Sequence, residues 1–261
     1  MILSISKMIR KLLESIKNKL RNVTYDGMTL NYIFNFNQEV INEFIINVVR
    51  KEMQPGSKIL DAGAGTVRYK KYFSDCIYLT QDFNQYEDPS GEFQYGKLDY
   101  VSDIIDIPVE DNSFDAIICT EVFEHIPRPD LAVKEFSRIL KQGGRLYITA
   151  PLGSGVHFYP YHYYGGCSKS WYTKYLKEYG FEEIVIKPKK GFFALYAQQT
   201  QRALILLGKS EKWKHKIFRP VFKVLYYSLP VFLFGLDKYK LDKHDPLTES
   251  TIGYLVKAKK S

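Results

Sequence analysis

Apolar and polar positions follow two rhythms along this chain, and the change between them divides it. At the start, Ile2, Ile5, Ile9, Leu12, Leu13, Ile16 and Leu20 recur at helical spacing. Lys7, Arg10, Lys11, Lys17, Lys19 and Arg21 fill much of the remainder, which predicts a basic amphipathic helix over residues 1–22 that either lies on a membrane surface or packs its apolar face on the domain. A second helix is expected from Asn37 to Glu52, ended by Gln54-Pro55-Gly56. Beyond it, short apolar runs alternate with helical patterns, which predicts a mainly parallel sheet flanked by helices. The expected strands are Lys58 to Ala62, Ile77 to Gln81, Leu98 to Ser102, Phe114 to Thr120, Arg145 to Ala150, Glu182 to Lys187 and Thr251 to Ala258. A helix over Asp130 to Leu140 sets Ala132, Phe136, Ile139 and Leu140 on one face and stops at Gly143-Gly144.

The last two strands are separated by roughly sixty residues, far beyond ordinary loop length, so an inserted element is expected there. Within it, residues Ile217 to Leu236 are strongly apolar and aromatic but interrupted by Arg219, Lys223 and two prolines. That pattern suits an interfacial helical hairpin or a hydrophobic lid better than a spanning helix. The expected organisation is therefore a helix at 1–22, a domain at 23–190 and 249–261, and an apolar, basic helical insertion at 191–248.

With 261 residues, 45% of them hydrophobic and 15% aromatic, the chain can bury a full α/β core in one domain and still carry an appendage. Cys76, Cys119 and Cys167 are far apart and have no metal-type spacing, so no metal is expected and a reduced, cytoplasmic compartment fits best. The formal net charge of +8 would suggest nucleic acid until it is divided along the chain. Residues 1–22 sum to +5, residues 23–186 to −8 and residues 187–261 to +11. An acidic centre with basic, apolar ends points instead to ends that meet an anionic surface, such as the inner face of the cell membrane.

Candidate chemistry begins at Lys58 to Tyr69, KILDAGAGTVRY, which reads as a buried strand turning through small residues straight into a helix. Asp61 brings a carboxylate to the strand end, while Ala62, Gly63 and Gly65 let the backbone approach a ligand closely. Asp82 closes the next strand seventeen positions after Gly65, where a carboxylate can accept hydrogen bonds from both hydroxyls of a ribose. Enzymes that bind dinucleotides and enzymes that bind S-adenosylmethionine both fit so far. A dehydrogenase fingerprint would place glycine at position 68, where this chain has Arg68.

Residues 102–152, SDIIDIPVEDNSFDAIICTEVFEHIPRPDLAVKEFSRILKQGGRLYITAPL, are more specific. With DAGAGT and Asp82, this block resembles the class I S-adenosylmethionine-dependent methyltransferases, especially the small-molecule type 11 group, over roughly residues 55–190. The resemblance implies a Rossmann-like seven-stranded sheet with an antiparallel last strand, and S-adenosylmethionine as cofactor. It places Asp61, Ala62, Gly63 and Gly65 against the methionine part and the ribose, Asp82 on the ribose hydroxyls and Phe83 beside the adenine. It sets Asp103 on the adenine amino group, the Ile104 amide near a ring nitrogen, and Thr120 and Glu121 along the sulfonium. The family usually carries glycine where this chain has Val67.

Methyl transfer to a hydroxyl needs in-line placement of the acceptor and a base for its proton. The candidates are His162, His125 and His157. His125 follows the fourth strand and either braces the loop or takes a proton. His157 and His162 stand among Tyr159, Tyr161, Tyr163 and Tyr164 in the loop that borders the acceptor pocket by resemblance. In that fold, methyltransferases that act on nucleobase or amide nitrogens commonly show an Asn-Pro-Pro-Tyr motif after the fourth strand; here Thr120-Glu121-Val122-Phe123 stands instead, which with the acidic centre argues against nucleic acid. The whole pattern is similar to methyltransferases associated with bacterial surface-glycan assembly, and implies O-methylation of a small, glycan or lipid-linked acceptor. Two other readings stay open: a catalytically silent membrane-associated protein on the same fold, and an NAD-dependent oxidoreductase.

Overall fold

The computed structural model describes residues 24–25, 28–209, 225–226, 228–236 and 250–261. The helix expected over residues 1–22 and much of the segment 191–248 lie outside the described residues. What is described falls into two compact units. One comprises residues 40–189 and 251–261, and the other the described residues of 1–39 and 190–250.

The larger unit is built on a seven-stranded sheet of β3 (Lys58–Ala62), β4 (Ile77–Asp82), β5 (Tyr100–Val101), β6 (Phe114–Thr120), β7 (Leu140–Pro151), β8 (Phe181–Pro188) and β9 (Gly253–Lys260). Their order is β5-β4-β3-β6-β7-β9-β8. Every pairing from β5 to β7 is parallel, while β9 runs antiparallel to both β7 and β8. Strands buried on both faces need unbroken apolar runs. Ile59, Leu60, Ala116, Ile117, Ile118 and Cys119 meet that need, each fully buried. The thiol of Cys119 is a packing group whose pKa burial pushes far up.

One face of the sheet is covered by α2 (Pro129–Ile139) and α3 (Lys169–Glu178), which contribute Phe136, Ile139, Tyr172 and Leu176 to a core shared with Leu60 and Ile117. The other face is covered by the end of α1 (Leu30–Phe44) and its continuation through a π turn at Ile45–Val49. There Ile41, Phe44, Ile45 and Val49 pack with Ile59, Tyr78 and Tyr147. The chain order departs from spatial order at β3, which has β4 on one side and β6 on the other. Ligands in open α/β sheets bind beyond the strand ends at that reversal.

In the smaller unit, β1 (Thr24–Tyr25) and β2 (Met28–Thr29) pair antiparallel and α4 (Phe192–Lys209) forms a long helix. Phe34 stacks on Tyr226 at 5.2 Å, and the Lys190 ammonium lies 5.5 Å from the ring centre of Phe234. Among the described residues, no helix is long and apolar enough to cross a membrane.

Several expected boundaries move. The helix begins at Leu30 instead of Asn37, and the strand expected over Leu98 to Ser102 shrinks to Tyr100–Val101. Gly143-Gly144 does not stop the preceding helix. That helix ends at Ile139, Leu140 is already extended and paired with Phe114, and the two glycines form an irregularity inside β7. The larger correction follows β3: no α-helix starts there. The chain passes through turns and a single 3₁₀ turn at Lys70–Tyr72, anchored by buried Tyr69 and Phe73. Val67 breaks any helical path, because its φ is +56°.

Candidate active site

The parallel strands deliver Asp61 and Ala62, Asp82, and Thr120 and Glu121 to one edge of the sheet. Register ties them together: Ala62 pairs with Gln81, Asp61 with Ile118, and Thr120 with Thr149. Gly63 turns with φ +74°, and a Cβ on it would overlap the Val122 side chain, so the glycine loop closes directly onto the end of β6. Gly65 donates its amide to Asp82 Oδ2 at 2.9 Å, and Asn84 donates to Oδ1 at 3.3 Å. The Asp82 carboxylate is thus fixed at the loop that sequence spacing paired it with. Ser102 donates its amide to the Asp82 carbonyl, which sets Asp103 beside this strand end. Asp103 is exposed and accepts from the Ile105 amide at 3.2 Å, while Ile104 is buried. Phe83 meets the ring of Tyr161 edge-on at 4.9 Å.

Val67 adopts the left-handed conformation that glycine would take without strain, and the compensation lies at Gly96. A Cβ on Gly96 would sit 2.5 Å from Val67 Cγ2, and the Gly96 amide donates to the Gly65 carbonyl at 2.9 Å. Gly96 therefore makes room for the side chain that Val67 turns toward it. Gly96→Ala is expected to destabilise the fold by about 2 kcal/mol, and by clearly less in a Val67→Gly background. Equal losses in the two backgrounds, measured by urea unfolding, would show the positions to be independent.

Burial shapes the charges here. It raises the Asp61 carboxyl to about 7, against the opposing hydrogen bond that Tyr78 Oη donates to Oδ2 at 2.6 Å. Asp82 is raised as well, again by burial, with the amides of Gly65, Asn84 and Phe83 opposing. Glu124, 1% exposed, is pushed up to about 8 by burial and then by the neighbouring charge of Glu121. Glu121, with φ +54°, accepts from Thr149 Oγ1 at 2.9 Å and pairs with the buried Lys189 ammonium. Nothing in the local sequence announces Lys189, which arrives from the end of β8. The carboxyl end of the parallel strands is thus rich in carboxyl groups that resist ionisation and would be stabilised by a cationic ligand.

The three histidines come together. The 3₁₀ turn Phe123–His125 carries His125, and the loop after β7 is pinned to it by the amides of Tyr163 and Tyr164, both donating to the Glu124 carbonyl. His125 Nδ1 bonds the Tyr161 carbonyl at 2.6 Å, so this ring does brace the loop. Its Nε2 lies 3.1 Å from His157 Nε2, and the His162 ring centre is 4.9 Å from that of His157. Burial depresses His125 to about 4, and burial with the proximity of His157 lowers His162. Tyr86, Phe93 and Phe158 cluster nearby, with Phe93 lying 3.6 Å from where a Cβ on Gly65 would stand. A separate open cleft of about 510 Å³, lined by Arg128, Tyr164, Cys167 and Trp171, includes none of the glycine-loop residues.

Residues 60–148 match the family described as "Methyltransferase domain". The chain is 37% identical over 115 residues to the human "Probable tRNA methyltransferase 9B", covering 41% of this chain and 25% of that protein. It is 34% identical over 108 residues to demethylmenaquinone methyltransferase of Corynebacterium glutamicum (strain R), covering 38% of this chain and 44% of the relative. It thus spans less than half the length of either curated relative. Among solved structures, the fold is similar to "a putative sarcosine dimethylglycine methyltransferase from Galdieria sulphuraria", with a TM-score of 0.51, 17% identity, and 87% of this chain and 86% of that one covered.

Proposed function

We propose that the protein is an S-adenosylmethionine-dependent methyltransferase, a reading supported by the match of residues 60–148 to the methyltransferase-domain family and by the β5-β4-β3-β6-β7-β9-β8 sheet. Its acceptor is proposed to be a hydroxyl of a small, glycan or lipid-linked molecule near the cytoplasmic face of the membrane. The observation that carries the cofactor reading is the pairing of the glycine loop with Asp82 at the carboxyl end of the parallel strands, where Asp61, Asp82 and Glu124 all have raised pKa values. S-adenosylmethionine, when bound, supplies an electrophilic methyl group on a sulfonium. Asp82 would hold the ribose hydroxyls, Asp103 and the Ile104 amide the adenine, and Gly63 and Gly65 would let the backbone lie against the methionine part. The dinucleotide alternative is weakened by the same geometry. A pyrophosphate needs the amides of a helix start, whereas turns follow this loop and the groups nearby are acidic.

Oxygen as the accepting atom is supported by the histidine cluster beside Glu124, a group of imidazoles of the type that takes a proton from a hydroxyl. Membrane proximity is supported by the charge of +11 over residues 187–261 and by exposed Tyr196, Leu206 and Phe232 in the smaller unit. The curated relatives carry unlike acceptors in their names, so the acceptor is argued from this chain alone. A screen with methyl-labelled S-adenosylmethionine against soluble sugars, membrane lipid extracts and RNA tests the reading. The expected product is a labelled, base-stable ether in the glycan or lipid fraction. Label confined to RNA, or to an amine, would overturn the acceptor proposal.

A further inference from the structure

Two of the three clustered histidines have their orientation fixed by backbone carbonyls. His125 Nδ1 meets the Tyr161 carbonyl at 2.6 Å and His157 Nδ1 meets the Gly155 carbonyl at 2.8 Å. A carbonyl only accepts, so each Nδ1 must carry the hydrogen, and in the neutral rings both Nε2 atoms are left with lone pairs. These two Nε2 atoms face each other at 3.1 Å. Lone pairs do not converge in this way unless something electropositive sits between or beside them. The surroundings supply further donors. Glu124 Oε1 is 3.7 Å from His125 Nε2 and 3.9 Å from His157 Nε2. Glu124 is 1% exposed, and its Oε2 has no hydrogen-bond partner. His162 brings a third ring, with ligating atoms of all three histidines within 4.8 Å of one another, and its buried Nδ1 is also without a partner.

From this convergence we infer that His125, His157 and His162, with Glu124, form a binding site for a divalent first-row transition cation such as Zn²⁺, Fe²⁺ or Co²⁺. A tetrahedral ion bound at about 2.0–2.1 Å separates its nitrogen ligands by about 3.3–3.4 Å, close to the spacing of the two Nε2 atoms. Hydrogen bonds from Nδ1 to backbone carbonyls are the arrangement that orients ligating imidazoles and sharpens their basicity. A shared proton would serve two rings but would leave the third nitrogen and the carboxylate without a role. Imidazole donors select against Mg²⁺ and Ca²⁺. No spacing in the sequence announces the site, because His125 reaches it from the turn after β6, and His157 and His162 from the loop after β7. Metal binding does not depend on the methyl-transfer reading. Its use rests on that reading: with the ion held, the three rings are ligands, and an acceptor hydroxyl would be activated by the ion in place of a free histidine base.

The full chain, stripped with a chelator and dialysed against Zn²⁺ or Co²⁺, tests the site through metal content and the visible absorption of Co²⁺. About one ion per chain is expected, with a tetrahedral or five-coordinate Co²⁺ spectrum. His157→Ala, at a side chain 39% exposed, and separately His162→Ala should each weaken binding at least tenfold while S-adenosylhomocysteine binding persists as the check on folding. Failure of the native chain to take up Zn²⁺, Co²⁺ or Ni²⁺ while it still binds S-adenosylhomocysteine would overturn the inference. Unchanged affinity in both variants would overturn it too. Metal uptake without S-adenosylhomocysteine binding would support the site and count against the cofactor reading instead.

Discussion

Asp82→Ala is expected to weaken S-adenosylhomocysteine binding by about 100-fold or more. A hydrogen bond to a charged group contributes about 1.5–3 kcal/mol, and a ribose offers this carboxylate a pair of hydroxyls, so about 3 kcal/mol is at stake. Part of the loss would come from the loop itself, since the Gly65 amide would lose the acceptor it now reaches at 2.9 Å. Asp82→Asn separates these contributions, because an amide oxygen can still accept from Gly65 but cannot hold both hydroxyls as an ionised carboxylate does. Its stability should move in the opposite direction to its affinity. Burial raises the Asp82 pKa in the fold. The stability this group contributes is therefore fully present below the unfolded pKa and lost as pH rises through the folded one. The asparagine variant should therefore gain stability relative to the native chain as the pH is raised from about 4 to about 8. Calorimetry and urea unfolding at both pH values check the pair of effects. An asparagine variant that binds with native affinity would remove Asp82 from the ribose site.

Gly166→Ala is expected to be among the most damaging single substitutions in the larger unit, lowering unfolding free energy by about 4 kcal/mol or more. Gly166 sits at φ +133°, and a Cβ there would overlap the carbonyl oxygen of Pro151 and stand 3.0 Å from Leu152 Cα. Neither neighbour can yield cheaply. Pro151 pairs with Gly253 in the sheet, and the Leu152 amide donates to the Ile252 carbonyl at 3.0 Å. The loop carrying His157 and His162 leaves and returns through this crossing, so relaxing it would also displace the histidines. Gly153→Ala is the control: nothing lies within 4 Å of its Cβ position, and its effect should stay within about 1 kcal/mol. Similar urea midpoints for the two variants would show that the crossing is softer than its geometry implies.

How far the sequence could be read depended on the range of the interactions involved. The buried strands were legible because two-sided burial requires continuous apolar runs, as in FDAIICT, where five of the seven positions are buried. The spacing from Gly65 to Asp82 was legible because both belong to consecutive strand ends. Beyond β3, an α-helix is the ordinary continuation, and the turn found there depends on Val67 at positive φ. That in turn depends on Gly96, which a local pattern cannot connect to it. Gly143-Gly144 misled for a related reason. Glycines at positive φ end helices and also shape strand irregularities, and only the pairing of Leu140 with Phe114 decides between them. The Lys189–Glu121 pair joins residues 68 positions apart, and the histidine contacts span 32 and 36. Such convergence is a property of the sheet order, which carries separate loops to one edge.

The most direct test of the account is a calorimetric titration of the full chain with S-adenosylhomocysteine and, separately, with NADH. The account predicts saturable binding of about one S-adenosylhomocysteine per chain, lost in Asp82→Ala, and no heat from NADH beyond dilution. Binding of NADH in preference to S-adenosylhomocysteine, or of neither by a chain that unfolds cooperatively, would contradict it.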